Sequence, residues 1–188
     1  NKFNIFTNNY MNSININRNI LNMYDNSLEL NKLQLDKIPI RGKSFSEVIK
    51  YDEKSIELKV IKESNKPGIF TKLIEVDNNN SYILKVKVLT KPNFLPLTVN
   101  VYDCNKKNYE SNNYLIQDNG YTYFYFETKQ NNNIYLSVGL KNPYKDNIFK
   151  LKSFEFKKVN NSKLYNINES VEIDFIKDNK SKHLLKSK

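Results

Sequence analysis

Between residues 44 and 159, apolar and polar side chains alternate with a period of two, in short runs broken by turn residues. Successive side chains on an extended chain point to opposite faces, so this period belongs to half-buried strands. In residues 81–89, Tyr82, Leu84, Val86 and Val88 alternate with Lys85 and Lys87. In 97–103, Leu97, Val99 and Val101 stand against Thr98, Asn100 and Tyr102. In 121–128, Phe124 and Phe126 share one face with Thr122, while Tyr121, Tyr123 and Tyr125 share the other. In 134–140, Ile134, Leu136, Val138 and Leu140 face one way, with Tyr135, Ser137 and Gly139 opposite. Runs at 44–50, 55–61, 69–76, 109–116 and 148–159 complete a set of about nine strands. In the last run Phe149 and Leu151 are out of phase with Phe154 and Phe156, so one extra residue near Lys152-Ser153 predicts a β-bulge.

The breaks between runs have turn chemistry. Asn65-Lys66-Pro67-Gly68, Asp77-Asn78-Asn79-Asn80, Asn119-Gly120 and Asn131-Asn132-Asn133 all separate strands. Composition agrees. The chain has no Ala, the best helix former, and carries 13 Tyr and 11 Phe, which suit pleated surfaces. Such runs are satisfied when two sheets each bury one face against the other. The expected fold is therefore all-β, a two-sheet antiparallel sandwich over 41–159. Its core should include Leu84, Val86, Val99, Val101, Phe124, Phe126, Leu136 and Val138. Residues 1–40 read as an N-terminal extension: a short helix, an added strand or a linker. Residues 160–188 read as a polar C-terminal tail, in which 171–176 is the one strand-like run.

Several function classes are disfavoured. The net charge is +10, but it is almost all Lys, spread along the chain and interleaved with acids. Nucleic-acid binders concentrate their charge in a stripe, often Arg-rich, so no nucleic-acid partner is expected. Abundant Asn, Lys, Ile and Tyr match the bias of an AT-rich genome. No apolar run approaches the roughly 18 residues of a membrane span. Cys104 is the one cysteine, so neither an internal disulfide nor a cysteine metal site can form. The one histidine, His183, lies in the tail, which leaves no nucleophile–histidine arrangement in the sandwich. The four glycines are widely separated and form no phosphate loop. No catalytic residue, cofactor or metal is expected.

One stretch carries a resemblance. Pro67-Gly68-Ile69-Phe70-Thr71-Lys72-Leu73-Ile74-Glu75-Val76, a polar turn, and then Tyr82-Ile83-Leu84-Lys85-Val86-Lys87-Val88 resemble the central strands of galactose-binding-like carbohydrate-binding modules. Residues 133–140 and 149–156 extend the likeness, which covers about 41–159. It implies a jelly-roll form of the sandwich and a non-catalytic domain that recognises a glycan or positions an attached enzyme. It also implies partners: a weakly bound glycan, and an adjoining glycosyltransferase domain or a virion or cell-surface protein. A structural or protein-interaction sandwich is the alternative. Many such modules hold a structural calcium through acids in the first and last strands. Here Glu155 is flanked by Lys152, Lys157 and Lys158, a poor match to an ion that wants several oxygen ligands.

Sugar sites pair an aromatic ring, which stacks on the apolar face of a sugar, with amides that bond its hydroxyls. The ligand-binding residues expected here are Tyr121, Tyr123 and Tyr125, with Tyr135 beside them if their strands form a hairpin. Tyr102 and Asn100 belong on the outward face of a neighbouring strand. Alternatively these tyrosines are cross-strand pairs that stabilise an exposed sheet. A second candidate is the set of polar loops carrying Tyr109, Asn112, Asn113, Tyr114 and Tyr144.

Overall fold

The computed structural model of the chain describes residues 19–27, 29–111 and 116–159. They fall into two units. One contains both chain ends, and of it residues 19–27 and Val159 are described. Residues 19–25 are helical. The end of that helix is closed by the Asn26 N–H to Asn22 O (3.1 Å) and by the Ser27 hydroxyl to Met23 O (2.6 Å). The expectations for 171–176, His183, Asn112, Asn113 and Tyr114 lie outside the described residues.

The second unit, Glu29–Lys158, is the sandwich. Its first sheet holds β1 (Glu29–Lys32), β3 (Ser46–Tyr51), β4 (Ile56–Val60), β7 (Ser81–Lys91), β10 (Ile116–Asp118), β11 (Tyr121–Glu127) and β13 (Ile148–Lys158). The second holds β2 (Ile40–Arg41), β5 (Gly68–Phe70), β6 (Ile74–Glu75), β8 (Leu97–Tyr102), β9 (Asn108–Ser111) and β12 (Asn133–Leu140). The main path of the first sheet runs β10-β11-β7-β13-β4-β3, and that of the second β2-β5-β12-β8-β9. Every pairing is antiparallel, as expected for the jelly-roll sandwich.

The inward faces carry the alternating residues. Leu84, Val86, Val99, Val101, Phe124, Phe126, Leu136 and Val138 all belong to one buried cluster between the sheets. Leu35, in the short 3-10 turn Leu35–Lys37, and Ile38 join it. The unit that holds the sandwich begins at Glu29.

The predicted bulge is present, between Leu151 and Ser153. It divides one edge of β13 between two partners: β4 pairs with Ile148–Leu151 and β1 with Glu155–Lys158. The run expected at 69–76 is two short strands. Between them, Thr71 donates its N–H to Leu136 O (2.9 Å) and accepts the Leu136 N–H on its hydroxyl (2.9 Å). A side chain thus takes the place of a ladder carbonyl. Gly139 is fixed by close approach, since a Cβ there would meet the Pro67 carbonyl oxygen at 2.5 Å.

One expectation is overturned. β11 and β12 do not form a hairpin. β11 pairs with β10 and β7 in the first sheet, and β12 with β5, β6 and β8 in the second. The connection between them crosses from one sheet to the other. It is held by Thr128, whose hydroxyl donates to Asp77 O (2.6 Å).

Phe126 is fully buried and stacks on Tyr82, with ring centroids 5.8 Å apart. Phe126→Ala should lower unfolding free energy by about 3–5 kcal/mol in urea denaturation, the usual cost of losing a buried ring. A loss below ~1 kcal/mol would mean that the ring is not packed as described.

Candidate functional site

Because β11 and β12 lie in different sheets, the six expected ligand-binding residues occupy two separate faces. Tyr121, Tyr123 and Tyr125 lie on the outer face of the first sheet. Tyr102, Tyr135 and Asn100 lie on the outer face of the second.

On the first face the tyrosines are engaged by neighbouring side chains. Tyr123 is buried at 6% exposure, as is its neighbour Ile83 at 0%. The Lys85 ammonium stands 4.3 Å from the Tyr121 ring centroid and 5.7 Å from that of Tyr123, and Lys87 lies 5.5 Å from Tyr121. Lys85 also pairs with Glu155 (3.7 Å), so that carboxylate is engaged by a cation. Tyr125 is half-buried. Its hydroxyl lies 2.8 Å from the Ser81 hydroxyl and donates to Glu127 Oε1 (3.2 Å). Burial, with the charge of Glu127 added, pushes its phenol up to about 12.

The second face is more open. Register puts Tyr135 opposite Tyr102, Ser137 opposite Asn100 and Phe70, and Asn100 opposite Ser111. A shift in β9 then brings Asn108 opposite Tyr102. Phe70 leans over β12 towards both tyrosines. Its ring centroid is 5.1 Å from that of Tyr102 and 5.3 Å from that of Tyr135. All three rings are half-buried. Beside them runs a chain of hydrogen-bonding groups. Asn108 donates its amide to Asn100 Oδ1 (3.4 Å), and Asn100 donates to the Ser137 hydroxyl (3.4 Å). Both contacts are long, so these amides can exchange them for another partner. The face thus combines an aromatic surface with adjacent amides, while Ser137 between them is itself buried at 1% exposure.

Phe70 is absent from the sequence-based site. Its signal was the alternation Ile69-in, Phe70-out, which the Thr71 interruption made hard to read.

Of the loop candidates, Tyr109 and Tyr144 are described, and they lie at opposite ends of the sandwich. Tyr144 lies 68% exposed at the end of the sandwich where Pro96 accepts the Lys141 N–H. Tyr109 lies at the other end, in a cavity of about 690 Å³ also lined by Asn79, Ser81, Asp103, Glu127 and Lys129. Its hydroxyl donates to Glu127 O (3.2 Å), and burial, then the charge of Glu110, raises its pKa. Burial also raises the pKa of Glu110, although the carboxylate accepts the Glu127 N–H (3.3 Å). Among the described residues no group of three or more His, Cys, Asp or Glu could hold a metal. Nor is any helix among them long and apolar enough to cross a membrane.

No family model matches the sequence, and no curated protein matches it. Solved structures do. The chain is similar to the glycosylation-associated protein complex Gap123 of Streptococcus agalactiae, with 14% identity, 69% of this chain and 25% of that one covered, and a TM-score of 0.50. It therefore spans about a quarter of that chain's length. It is also similar to a low-affinity xylan-binding module of Roseburia intestinalis, with 11% identity, 70% and 96% covered, and a TM-score of 0.44. A third likeness is to accessory secretory proteins 1, 2 and 3 of Streptococcus pneumoniae, with 13% identity, 64% and 90% covered, and a TM-score of 0.45. At such identities the likeness speaks to fold alone.

The Tyr125 environment makes a pH-dependent statement. Its folded pKa lies above the ordinary value near 10, so the native state holds that proton more tightly than the unfolded chain. The stability this contributes is complete below pH 10 and is lost as pH rises through about 12. In a spectrophotometric phenolate titration, Tyr125→Phe should remove one tyrosine's amplitude from the step near pH 12. Removal of amplitude near pH 10 instead would contradict the buried, acid-facing position of this hydroxyl.

Proposed function

We propose that this chain is a non-catalytic carbohydrate-binding accessory domain whose glycan lies on the outer face of the second sheet. The observation that carries the proposal is the Phe70, Tyr102 and Tyr135 cluster with Asn100, Asn108 and Ser137 beside it. Aromatic rings supply apolar contact to a sugar's CH face, and the amides replace water at its hydroxyls. Of the expected site residues, Tyr102, Tyr135 and Asn100 are retained. Tyr121, Tyr123 and Tyr125 are assigned to sheet stability, because Tyr123 is buried, the Tyr125 hydroxyl is hydrogen-bonded, and Tyr121 carries two lysine ammonium groups against the single one at Tyr135.

The domain is proposed to carry out no turnover of its own. The described sandwich contains no histidine. Its one cysteine, Cys104, is exposed at the start of the β8–β9 turn. A bound glycan would serve to hold an attached protein near its substrate or surface. The xylan-binding module of Roseburia intestinalis is described as low in affinity, which suits a shallow open face.

A second reading, a structural or protein-interaction sandwich, is favoured by a different observation. Phe94 is 83% exposed and Tyr144 68% exposed. Exposed aromatics of this kind are enriched at protein interfaces. The similarity to the Gap123 complex of Streptococcus agalactiae is in keeping with it.

Calorimetric titration with xylo- and cello-oligosaccharides separates the two. A single shallow site should bind one of them in the micromolar-to-millimolar range, about −8 to −4 kcal/mol. Tyr102→Ala and Tyr135→Ala should each weaken binding by about two- to tenfold, the scale of one aromatic contact. Tyr121→Ala should leave affinity unchanged, with folding of each variant checked by thermal unfolding. Full affinity in both second-sheet variants would exclude this face. Absence of binding across a broad glycan array would favour the protein-interaction reading.

A further inference from the structure

The charge on the proposed binding face is one-sided. Three rows cross it: Gly68, Gly139 and Thr98; Phe70, Ser137, Asn100 and Ser111; and Tyr135, Tyr102 and Asn108. None of these residues carries a carboxylate. The adjoining row, Asn133 and Glu75, carries a carboxylate two residues from Tyr135 along β12. Two cations border the rows. Arg41 stands opposite Gly68 at one margin. Lys106 stands at the other, its ammonium 5.6 Å from the Tyr135 ring centroid. Gly139 and Tyr135 are four residues apart along β12, about 13 Å, so the two cations flank a track that can take a short oligosaccharide.

Five lysines of the described residues are tied to carboxylates, while these two cations belong to the larger set that is not. Lys50, Lys59, Lys85, Lys150 and Lys158 each meet a carboxylate. Among the described residues neither Lys106 nor Arg41 has a carboxylate within 4.0 Å.

Lys106 is also positioned by a built turn. Asp103 Oδ1 accepts the N–H groups of Asn105 and Lys107, both at 2.9 Å. Asp103 O accepts the Lys106 N–H (2.9 Å), and Lys107 O accepts the Asp103 N–H (3.0 Å). Within this turn Lys106 adopts φ 61°, a left-handed conformation that lysine seldom occupies. The Asp103 carboxylate is thereby engaged with backbone, while the lysine is directed over the aromatic row.

We propose, resting on the glycan-binding reading of this face, that its ligand class is an anionic glycan. Lys106 is the specificity-determining residue: it meets a uronic-acid carboxylate carried by the sugar stacked at Tyr135. A neutral sugar must displace the ammonium from the ring, losing its cation–π contact. An acidic sugar draws the ammonium aside and pairs with it.

The test is calorimetry with two matched probes, an unbranched xylo-oligosaccharide and the same oligosaccharide bearing a glucuronic-acid branch. Wild type should bind the branched probe about two- to fivefold more tightly, the range of an exposed ion pair, and added salt should shrink that preference. Lys106→Asn removes the ammonium and keeps a residue tolerant of the left-handed turn. It should bind both probes equally, with neutral-probe affinity held or improved. Equal binding by wild type, or a preference that survives in the variant, overturns the inference and leaves the glycan-binding reading intact. No binding of either probe overturns both. Thermal unfolding of Lys106→Asn at the wild-type temperature excludes a folding explanation for lost preference.

Discussion

The sandwich depends on burial of one face from each sheet, and this burial fixes what every other residue can do. Fully buried Phe126, Phe149 and Phe154, with Leu84, Leu136 and Leu151, fill the space between the layers. Each removes apolar surface from water, worth about 1.5–3 kcal/mol per fully buried side chain. Because the side-chain period is two, slipping any strand by one residue would turn its whole apolar set to solvent. Register is therefore pinned, and the outward side chains are pinned with it. The bulge at Leu151/Ser153 corrects the phase of β13, so that Phe149 and Leu151 before it and Phe154 and Phe156 after it all reach the core.

Two outer faces follow from that constraint, and their chemistry differs. On the first sheet, Lys85 on β7 lies between Tyr123 and Glu155, its partners in register on β11 and β13. Cation, ring and carboxylate there satisfy one another. On the second sheet the matching positions hold Phe70, Tyr102 and Tyr135 beside amides and a hydroxyl with long, replaceable hydrogen bonds. Both faces bear tyrosines with a lysine ammonium over at least one ring, but on the first Tyr123 is buried, whereas on the second all three rings are half-buried. Functional assignment accordingly rests on what surrounds the aromatics, and their number decides nothing.

The sequence made the strands and the core legible because alternation is a local property. The pattern around Phe124 and Phe126, or around Leu136 and Val138, needs no knowledge of partners. The bulge was legible for the same reason, as a phase change within one strand. Asn119-Gly120 was readable as a hairpin turn, and both residues have positive φ, 50° and 83°. Partnership between strands was not local. The short Asn131-Asn132-Asn133 loop suggested a hairpin between β11 and β12, yet Thr128 and its bond to Asp77 O direct the chain to the opposite sheet. The expected site therefore mixed residues from two faces. Phe70, which the proposed site adds, sits on a three-residue strand too short to show a sustained period. The contribution of residues 29–40 was hidden because Leu35 and Ile38 enter the core from a 3-10 turn and its flank, where neither strand nor helix spacing applies.

Amide NMR spectra recorded during titration with the xylo-oligosaccharide test most directly whether the outer face of the second sheet is the binding surface. The account predicts that Phe70, Asn100, Tyr102, Tyr135 and Ser137 shift in a saturable, concentration-dependent way, while Ile83, Tyr121 and Tyr123 stay in place. Saturable shifts confined to the first sheet, or to the end cavity around Tyr109 and Asn131, would contradict it.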